Sequence, residues 1–417
     1  LKKSKTLYKN LINYNPPISS LGVVCCYFNP CNYKSKFLNF VKFLNSIKAT
    51  GINPLVIEAY SDSSLHRIYK LTDNVISIKT DSIFWKKEQL LNIGIDALLK
   101  KKYEYIAWVD ADITFNENDW WKQVIVATEF YGVVQIFANS VKQKVTPALQ
   151  HKHSSAYMLS HTNTEHDLQI ILSRKNEPGY GHCYHRSFLE KNNLYDLSII
   201  GGGDILNLIG FYYNEQTHKT ILNDRFFSNM TDEFKQTYVE WCKRNKKVVN
   251  GIGYANVDIT VLFHGNKSDR KYVTREHILS KHRYNPITDL SIKDKVYQIK
   301  KLSIKNEIYN HFLSRNEDVN LTYSDLELVS KIKQMMSTSK LDFIQNEIYS
   351  HINNKHIKNK LSDYVITDEK RMLVAVRSAE SLFSINRIPI PCKILIDGNV
   401  SPCLNSFTNF KNHGPFG

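Results

Sequence analysis

The chain opens with short apolar runs that alternate with helical periodicities. Leu21–Phe28 is apolar, rich in β-formers and ended by Asn29-Pro30, so it reads as a first strand. Apolar residues at 37, 38, 40, 41, 44 and 47 predict an amphipathic helix that Gly51 closes. Residues 54–59 and 74–78 read as a second and a third strand. Leu90, Leu91, Ile93, Ile95, Leu98 and Leu99 recur at helical spacing, and the lysines at 100–102 suit the negative end of that helix. Tyr105–Val109 is a buried strand by the same reasoning. Strand, helix, strand, strand, helix, strand predicts a nucleotide-binding α/β half with right-handed crossovers.

The pattern continues more loosely. Asn116 or Asn118 is expected to cap a helix containing Trp120, Trp121, Val124 and Ile125, with a strand at 133–137. Residues 139–167 are polar and carry His151, His153, His161 and His166. H-x-H spacing can bind zinc, but no cysteine or second tight pair accompanies it, and a lid-like loop with scattered histidines is the expectation. Residues 187–192 should begin a helix and 259–263 form a strand. Past Pro286, the positions Val296, Ile299, Leu302, Ile304 and Ile308 suggest helix, as do 326–336 and 341–357; 373–376 and 394–396 look like strands. The expected division is a lead-in at 1–20, an α/β domain at 21–284, a mostly helical extension at 285–360, and a small α/β or irregular tail at 361–417 that could begin a truncated domain. The extension could pack on the α/β domain or serve as an oligomer or partner surface.

Composition narrows the setting. A chain of 417 residues can build a large core without disulfides. Its seven cysteines form no C-x-x-C pair, and Cys25 and Cys26 should point to opposite faces of a strand, which suggests reduced thiols in a cytoplasmic setting. No apolar run approaches membrane-spanning length. The first residue is Leu rather than Met, so the N-terminus could be cropped and a leader lost. A formal charge of +15 attracts nucleic acid, anionic membrane or anionic small substrates, but it is spread along a chain rich in Lys, Asn, Ile and Tyr with no nucleic-acid motif, so it carries little weight and no nucleic acid is expected.

The candidate chemistry starts at Asp110-Ala111-Asp112, where the strand at Tyr105–Val109 ends. Ligands of open α/β sheets bind beyond the carboxyl ends of strands, and paired carboxylates there can hold a hard divalent cation. A D-x-D alone is equally an ordinary strand-end turn. Its flanks add Trp85, Lys87, Glu88, Leu91 and Asn92 before it, and Trp108 and Phe115 around it. This W-x-K-E-x-x-L-N helix and W-x-D-x-D-x-x-F strand end resemble the donor site of GT-A glycosyltransferases close to family 2, in a group found in bacteria and large DNA viruses. Two later blocks extend the resemblance over about residues 20–280. The first is P-G-Y-G-H-C-Y-H-R at 178–186 followed by Gly201-Gly202-Gly203-Asp204, although Asn193 stands where the group usually has glycine and His182 and Cys183 replace a small-aromatic pair. The second is His264-Gly265 with Arg270, Tyr272 and Arg275.

The resemblance implies a fold, a reaction and residue roles. The fold is a GT-A, Rossmann-like α/β domain. The reaction is inverting transfer of a hexosyl or N-acetylhexosaminyl group from a nucleotide-diphosphate sugar, UDP-linked, to a glycan or other hydroxyl acceptor. Tyr27, Asn29 and Glu58 would meet base and ribose, with Trp85, Lys87, Asn92, Asp110, Arg270, Tyr272 and Arg275 completing the donor site. Asp110, Asp112 and His264 would hold Mn²⁺ or Mg²⁺. Lys267 could join Arg270 and Arg275 on the diphosphate. Asp204 would be the general base. Tyr180, Gly181, Gly202 and Gly203 would meet the acceptor, with Tyr184 adding to a sugar-stacking wall. The rival readings are a non-catalytic module that binds glycan or nucleic acid, and a nucleotidyltransferase, which also pairs carboxylates with metal.

Overall fold

The computed structural model describes residues 15–61, 68–142, 150–161, 175–211, 227, 230–245, 251–266, 268–272, 274–319, 321–338, 394–396 and 399–401. The chain divides into two compact units, Leu1–Ile344 and Gln345–Gly417.

In the first unit the alternation seen in the sequence builds an α/β sheet. Strand β1 (Leu21–Phe28) leads into helix α1 (Lys34–Ala49), then β2 (Leu55–Tyr60) and β3 (Val75–Lys79), then helix α2 (Lys87–Lys100) and β4 (Tyr105–Val109). These four strands run parallel, with Val24 beside Leu55 and Trp108, and Val56 beside Val75. Strands β1, β2 and β4 are buried along nearly their whole length because helices cover the sheet, which is why they read as apolar runs rather than alternations. Gly94 lets α2 lie close on the sheet; a Cβ there would come within 2.3 Å of Val24 and 3.0 Å of Ile57.

After β4 the chain makes β5 (Ile113–Phe115), helix α3 (Trp120–Tyr131), β6 (Val133–Gln135), β7 (Asn139–Lys142), β8 (Gln150–His153), helix α4 (Ser155–His161) and β9 (Gly181–His185). A short helix α5 (Arg186–Leu189), helix α6 (Gly203–Phe211), helix α7 (Asp232–Arg244), β10 (Gly253–Tyr254) and β11 (Asp258–Val261) follow. The main sheet has the order β10-β6-β9-β4-β1-β2-β3, and a second sheet has the order β5-β11-β7-β8. Two pairings position the site. Antiparallel β9 places Gly181 beside Val109, so the loop entering β9 opens on the same edge as Asp110. Antiparallel β11 places Val261 beside Ile113, so the residues leaving β11 meet those entering β5.

Several expectations are corrected. Residues 139–142 and 150–161 form β7, β8 and α4 rather than a loop. His153 and His161 stack on Tyr157, while His166 lies outside the described residues. Helix α3 starts after Asp119 without a side-chain cap, and Asn116 instead accepts a hydrogen bond from Thr260 at 2.9 Å. The helix at 187–192 shrinks to α5. Val296 and Ile299 belong to a hairpin of β12 (Leu290–Lys293) and β13 (Val296–Ile299), turned by Asp294 and Lys295 at φ of 52° and 69°. Hairpin turns of this kind usually announce themselves by Asn-Gly or Asp-Gly, and this pair does not.

Helices α10 (Leu302–Leu313) and α11 (Tyr323–Thr338) follow, after two short helices α8 (His277–Lys281) and α9 (Pro286–Asp289) that precede the hairpin. Among the described residues of 277–338 four helices flank the hairpin, and the division between the two units falls after Ile344. The reason is local. Helix α1 has no cap of its own, and Asp318 supplies one by accepting from the backbone N–H groups of Lys34 and Ser35 at 3.0 and 2.8 Å. The Tyr33 hydroxyl donates to the carbonyls of Phe312 and Leu313. In the second unit, β14 (Ile394–Ile396) and β15 (Asn399–Ser401) pair as an antiparallel hairpin. The expected helix at 341–357 and strand at 373–376 lie outside the described residues.

If Asp318 is the cap of α1, Asp318→Ala should lower unfolding stability by about 1 kcal/mol, the usual worth of an N-cap. Denaturant titration checks this. An unchanged midpoint would mean that the two segments do not depend on one another.

Candidate active site

The carboxyl ends of β1 and β4, the loop before β9, the start of α6 and the residues after β11 face one cleft of about 820 Å³. Lys87, the first residue of α2, stands at its centre. Its Nζ lies 2.7 Å from Asp110 Oδ1 and 2.8 Å from Asp204 Oδ1. It also sits 4.3 Å from the Trp108 ring, a cation–π contact. Burial alone would lower the Lys87 pKa, but Asp110, Asp204 and then Glu88 hold it well above its ordinary value. Burial, against the pull of Lys87, pushes the Asp110 carboxyl up to about 6, so it is still mostly ionised beside Lys87 at neutral pH.

The Gly201-Gly202-Gly203-Asp204 turn is shaped by neighbours as well as by φ. Gly201 and Gly202 take φ of 96° and 88°, which only glycine adopts freely. A Cβ on Gly201 would meet the Arg275 guanidinium at 2.9 Å, and one on Gly203 would meet Glu88 at 2.1 Å. The side of Gly203 expected to face an acceptor is therefore filled by Glu88. Gly202 and Asp204 line the cleft, and Gly179 closes on Asp204 from the other side.

Asp112 and His264, far apart in sequence, meet because β5 and β11 pair. His264 Nδ1 is 3.2 Å from Asp112 Oδ2 and 2.7 Å from the Leu262 carbonyl. Burial, then Arg270, lowers the His264 pKa to about 4, so the ring is neutral; its Nδ1–H donates to the Leu262 carbonyl, and Nε2 is the nitrogen left to act as a ligand. Asp112 Oδ1 is buried with no hydrogen-bond partner among the described residues. Among the described residues no group of three or more His, Cys, Asp or Glu converges on one point. The carboxylate–imidazole pair nevertheless fits a divalent cation whose remaining ligands come from phosphate oxygens and water. Asp110 stands with Lys87 rather than with this pair.

The structure sorts the other expected residues. Tyr27, Trp85, Tyr180, Arg270, Tyr272 and Arg275 all line the cleft. Tyr27, Asn29 and Glu58 also line an adjoining cavity of about 290 Å³ over the ends of β1 and β2, where Ser77 donates to Glu58 at 2.9 Å. Arg270 donates to the Tyr272 hydroxyl, and the Arg275 guanidinium lies 4.8 Å from the Tyr272 ring. Lys267 lies outside the described residues.

Three residues move out of the site. Asn92 bonds to the Leu194 carbonyl, the Leu194 N–H and Asp196, so it ties α2 to the segment before α6. Gly181 is buried in β9, where a Cβ would meet Ile136 at 2.3 Å. Tyr184 is a core residue whose hydroxyl accepts from Trp108 at 3.3 Å. His182 and Cys183 are buried in β9 as well.

Arg315 and Glu317, from beyond the expected domain end, were not anticipated. They are buried in the cleft wall as an ion pair at 2.7 Å, with Arg315 Nε lacking a partner among the described residues. Lys36 also lines the cleft, near Glu317. Lysine and arginine are common through the chain, and no motif separates these two.

No family model and no curated protein matches the chain. Among solved structures it is similar to S. aureus TarS 1–349, at 12% identity and a TM-score of 0.33 over 80% of this chain and 91% of that one. TarS 1–349 in complex with UDP-GlcNAc matches at 12% and 0.34, over 80% and 92%. Glucosyl-3-phosphoglycerate synthase from Mycobacterium tuberculosis, in complex with Mg²⁺ and UDP, matches at 11% and 0.30, over 69% and 86%. Among the described residues no helix is long and apolar enough to cross a membrane.

Glu88, buried behind the turn, offers a test of this packing. Burial pushes its carboxyl pKa from 4.5 up to about 8. The folded chain therefore holds a proton that the unfolded chain has released, and this contribution is lost as pH rises from about 5 to 8. Glu88→Gln should gain stability relative to the wild type across that window, measured by denaturant unfolding at several pH values. A constant difference between the two would contradict the buried, protonated Glu88.

Proposed function

We propose that this chain is a metal-dependent glycosyltransferase that moves a sugar from a UDP-linked donor to a hydroxyl acceptor with inversion. The observation that carries the reading is the meeting of Asp112 and His264 beside Arg270 in a cleft that also holds Asp204. Asp112 and His264 would hold the cation, Mn²⁺ or Mg²⁺. When bound, it supplies positive charge to the departing diphosphate. Arg270, Arg275 and Arg315 add fixed positive charge at the same end of the cleft. The cavity lined by Tyr27, Asn29 and Glu58 suits a nucleoside, with an aromatic face for the base and a carboxylate for ribose hydroxyls.

Asp204 is the base in this reading. It accepts the acceptor hydroxyl proton as that oxygen bonds the anomeric carbon and the bond to the diphosphate breaks. Lys87 holds the carboxylate in place and leaves its second oxygen toward Gly179. Attack opposite the leaving group accounts for inversion. A glycan is the expected acceptor, and the cytoplasm the expected setting.

The test compares Asp204→Asn with Asp112→Asn. Asn keeps the size of Asp204 but takes no proton, so transfer should fall by about 10²–10⁴-fold while calorimetric UDP affinity persists. Asp112→Asn should weaken metal-dependent UDP binding together with turnover. A near-normal rate for Asp204→Asn removes it from the mechanism. If neither variant alters any turnover, a binding module becomes the better reading.

Metal dependence is checked separately. EDTA should abolish turnover and Mn²⁺ restore it, and full activity in EDTA would exclude the cation. Arg315→Met should raise the UDP Kd about tenfold, as loss of a charge-assisted phosphate contact does. An unchanged Kd would confine Arg315 to a structural role.

A further inference from the structure

In the wall of the same cleft, two lysines share one carboxylate oxygen. Lys142 Nζ lies 2.7 Å and Lys152 Nζ 3.0 Å from Glu177 Oε1. In the β7–β8 ladder Ser140 stands opposite Lys152, so Lys142 and Lys152 are diagonal neighbours on one face. Both side chains are about four-fifths buried, at 18% and 19% exposure, and both line the cleft.

The arrangement is held from behind. The Glu177 N–H donates to the His153 carbonyl at 3.0 Å, and Gln135 donates to the Glu177 carbonyl at 3.0 Å. Glu177 leads directly into Gly179, which abuts Asp204, and Tyr180, whose ring lies 5.6 Å from Lys142 Nζ. Among the described residues, one carboxylate against two ammonium groups leaves one positive charge unbalanced in a largely buried wall. Such a charge is costly unless an anion completes it.

We propose that Lys142 and Lys152 form an anion subsite for the acceptor, so that the molecule glycosylated at Asp204 carries a phosphate or a carboxylate near its reacting hydroxyl. The inference rests on the glycosyltransferase reading for the word acceptor, but the anion subsite itself does not. With Glu177 ionised, the lysine pair is neutralised by half; the acceptor's anion supplies the rest and fixes which hydroxyl faces Asp204.

The probes are glucose 6-phosphate and glucuronate, each beside glucose, titrated into the full chain with UDP and Mn²⁺ and followed by ligand-observed NMR. UDP affinity is read in the same samples, and UDP release from UDP-glucose in parallel. At least one anionic sugar should bind about tenfold more tightly than glucose, and Lys142→Met or Lys152→Met should remove that preference. Preference for glucose 6-phosphate alone assigns the subsite to phosphate, and equal preference for glucuronate assigns it to carboxylates as well. Glu177→Gln should strengthen anion binding, because it frees both lysines. A purely structural role for the trio makes Glu177→Gln neutral or damaging to binding, and that result overturns the proposal. UDP binding with no preference among the sugars overturns it too while leaving the transferase reading standing. Anion preference without UDP binding or release keeps the subsite and removes the transferase.

Discussion

The ion triad of Lys87, Asp110 and Asp204 is the constraint on which the rest of the cleft depends. Each member comes from a different part of the fold: the first residue of α2, the end of β4 and the first turn of α6. Two carboxylates that close would repel one another without the cation between them. Lys87 must be buried to reach both, and Glu88 follows it into the interior, where only glycine at 203 leaves room. The glycine turn, the donor-side aspartate and the candidate base are thus parts of one electrostatic arrangement. Gly201 belongs to it as well, since its missing side chain is replaced by the Arg275 guanidinium.

Positive charge collects in the cleft. Arg270, Arg275, Arg315 and Lys36 gather where Asp112 and His264 meet, with Glu317 and Glu276 as their nearby anions. The Lys142–Glu177–Lys152 trio lines the same cleft, with Lys142 beside Val261 in the β7–β11 pairing. Burial keeps His264 neutral next to the strongest of these cations, which leaves the imidazole available as a ligand.

Much of this was legible in the sequence because it depends on short-range pattern. β1 and β4 have the predicted bounds, since strands buried on both faces are continuous apolar runs. The convergence of Asp112 with His264 was expected from the resemblance and is found, through the β5–β11 pairing. What failed depended on tertiary packing. Asn92, Gly181 and Tyr184 occur within motif blocks yet serve the core, because conformity to a spacing does not say which face a side chain takes. Arg315 and Asp318 had no visible signal, because one acts by capping a helix hundreds of residues earlier and the other by pairing inside a wall. The β12–β13 hairpin was hidden by an uncharacteristic Asp294-Lys295 turn.

The triad is tested most directly by the unfolding free energy of Lys87→Met beside that of the triple variant Lys87→Met, Asp110→Asn, Asp204→Asn at pH 7. Removing one partner of a buried pair costs about 3–5 kcal/mol. The aspartates remain 22% and 30% exposed, so about 2 kcal/mol is expected here, screened by solvent. Neutralising both carboxylates in the triple variant should recover most of that loss. Wild-type stability for Lys87→Met, or no recovery in the triple variant, would contradict an arrangement built on this one ammonium group.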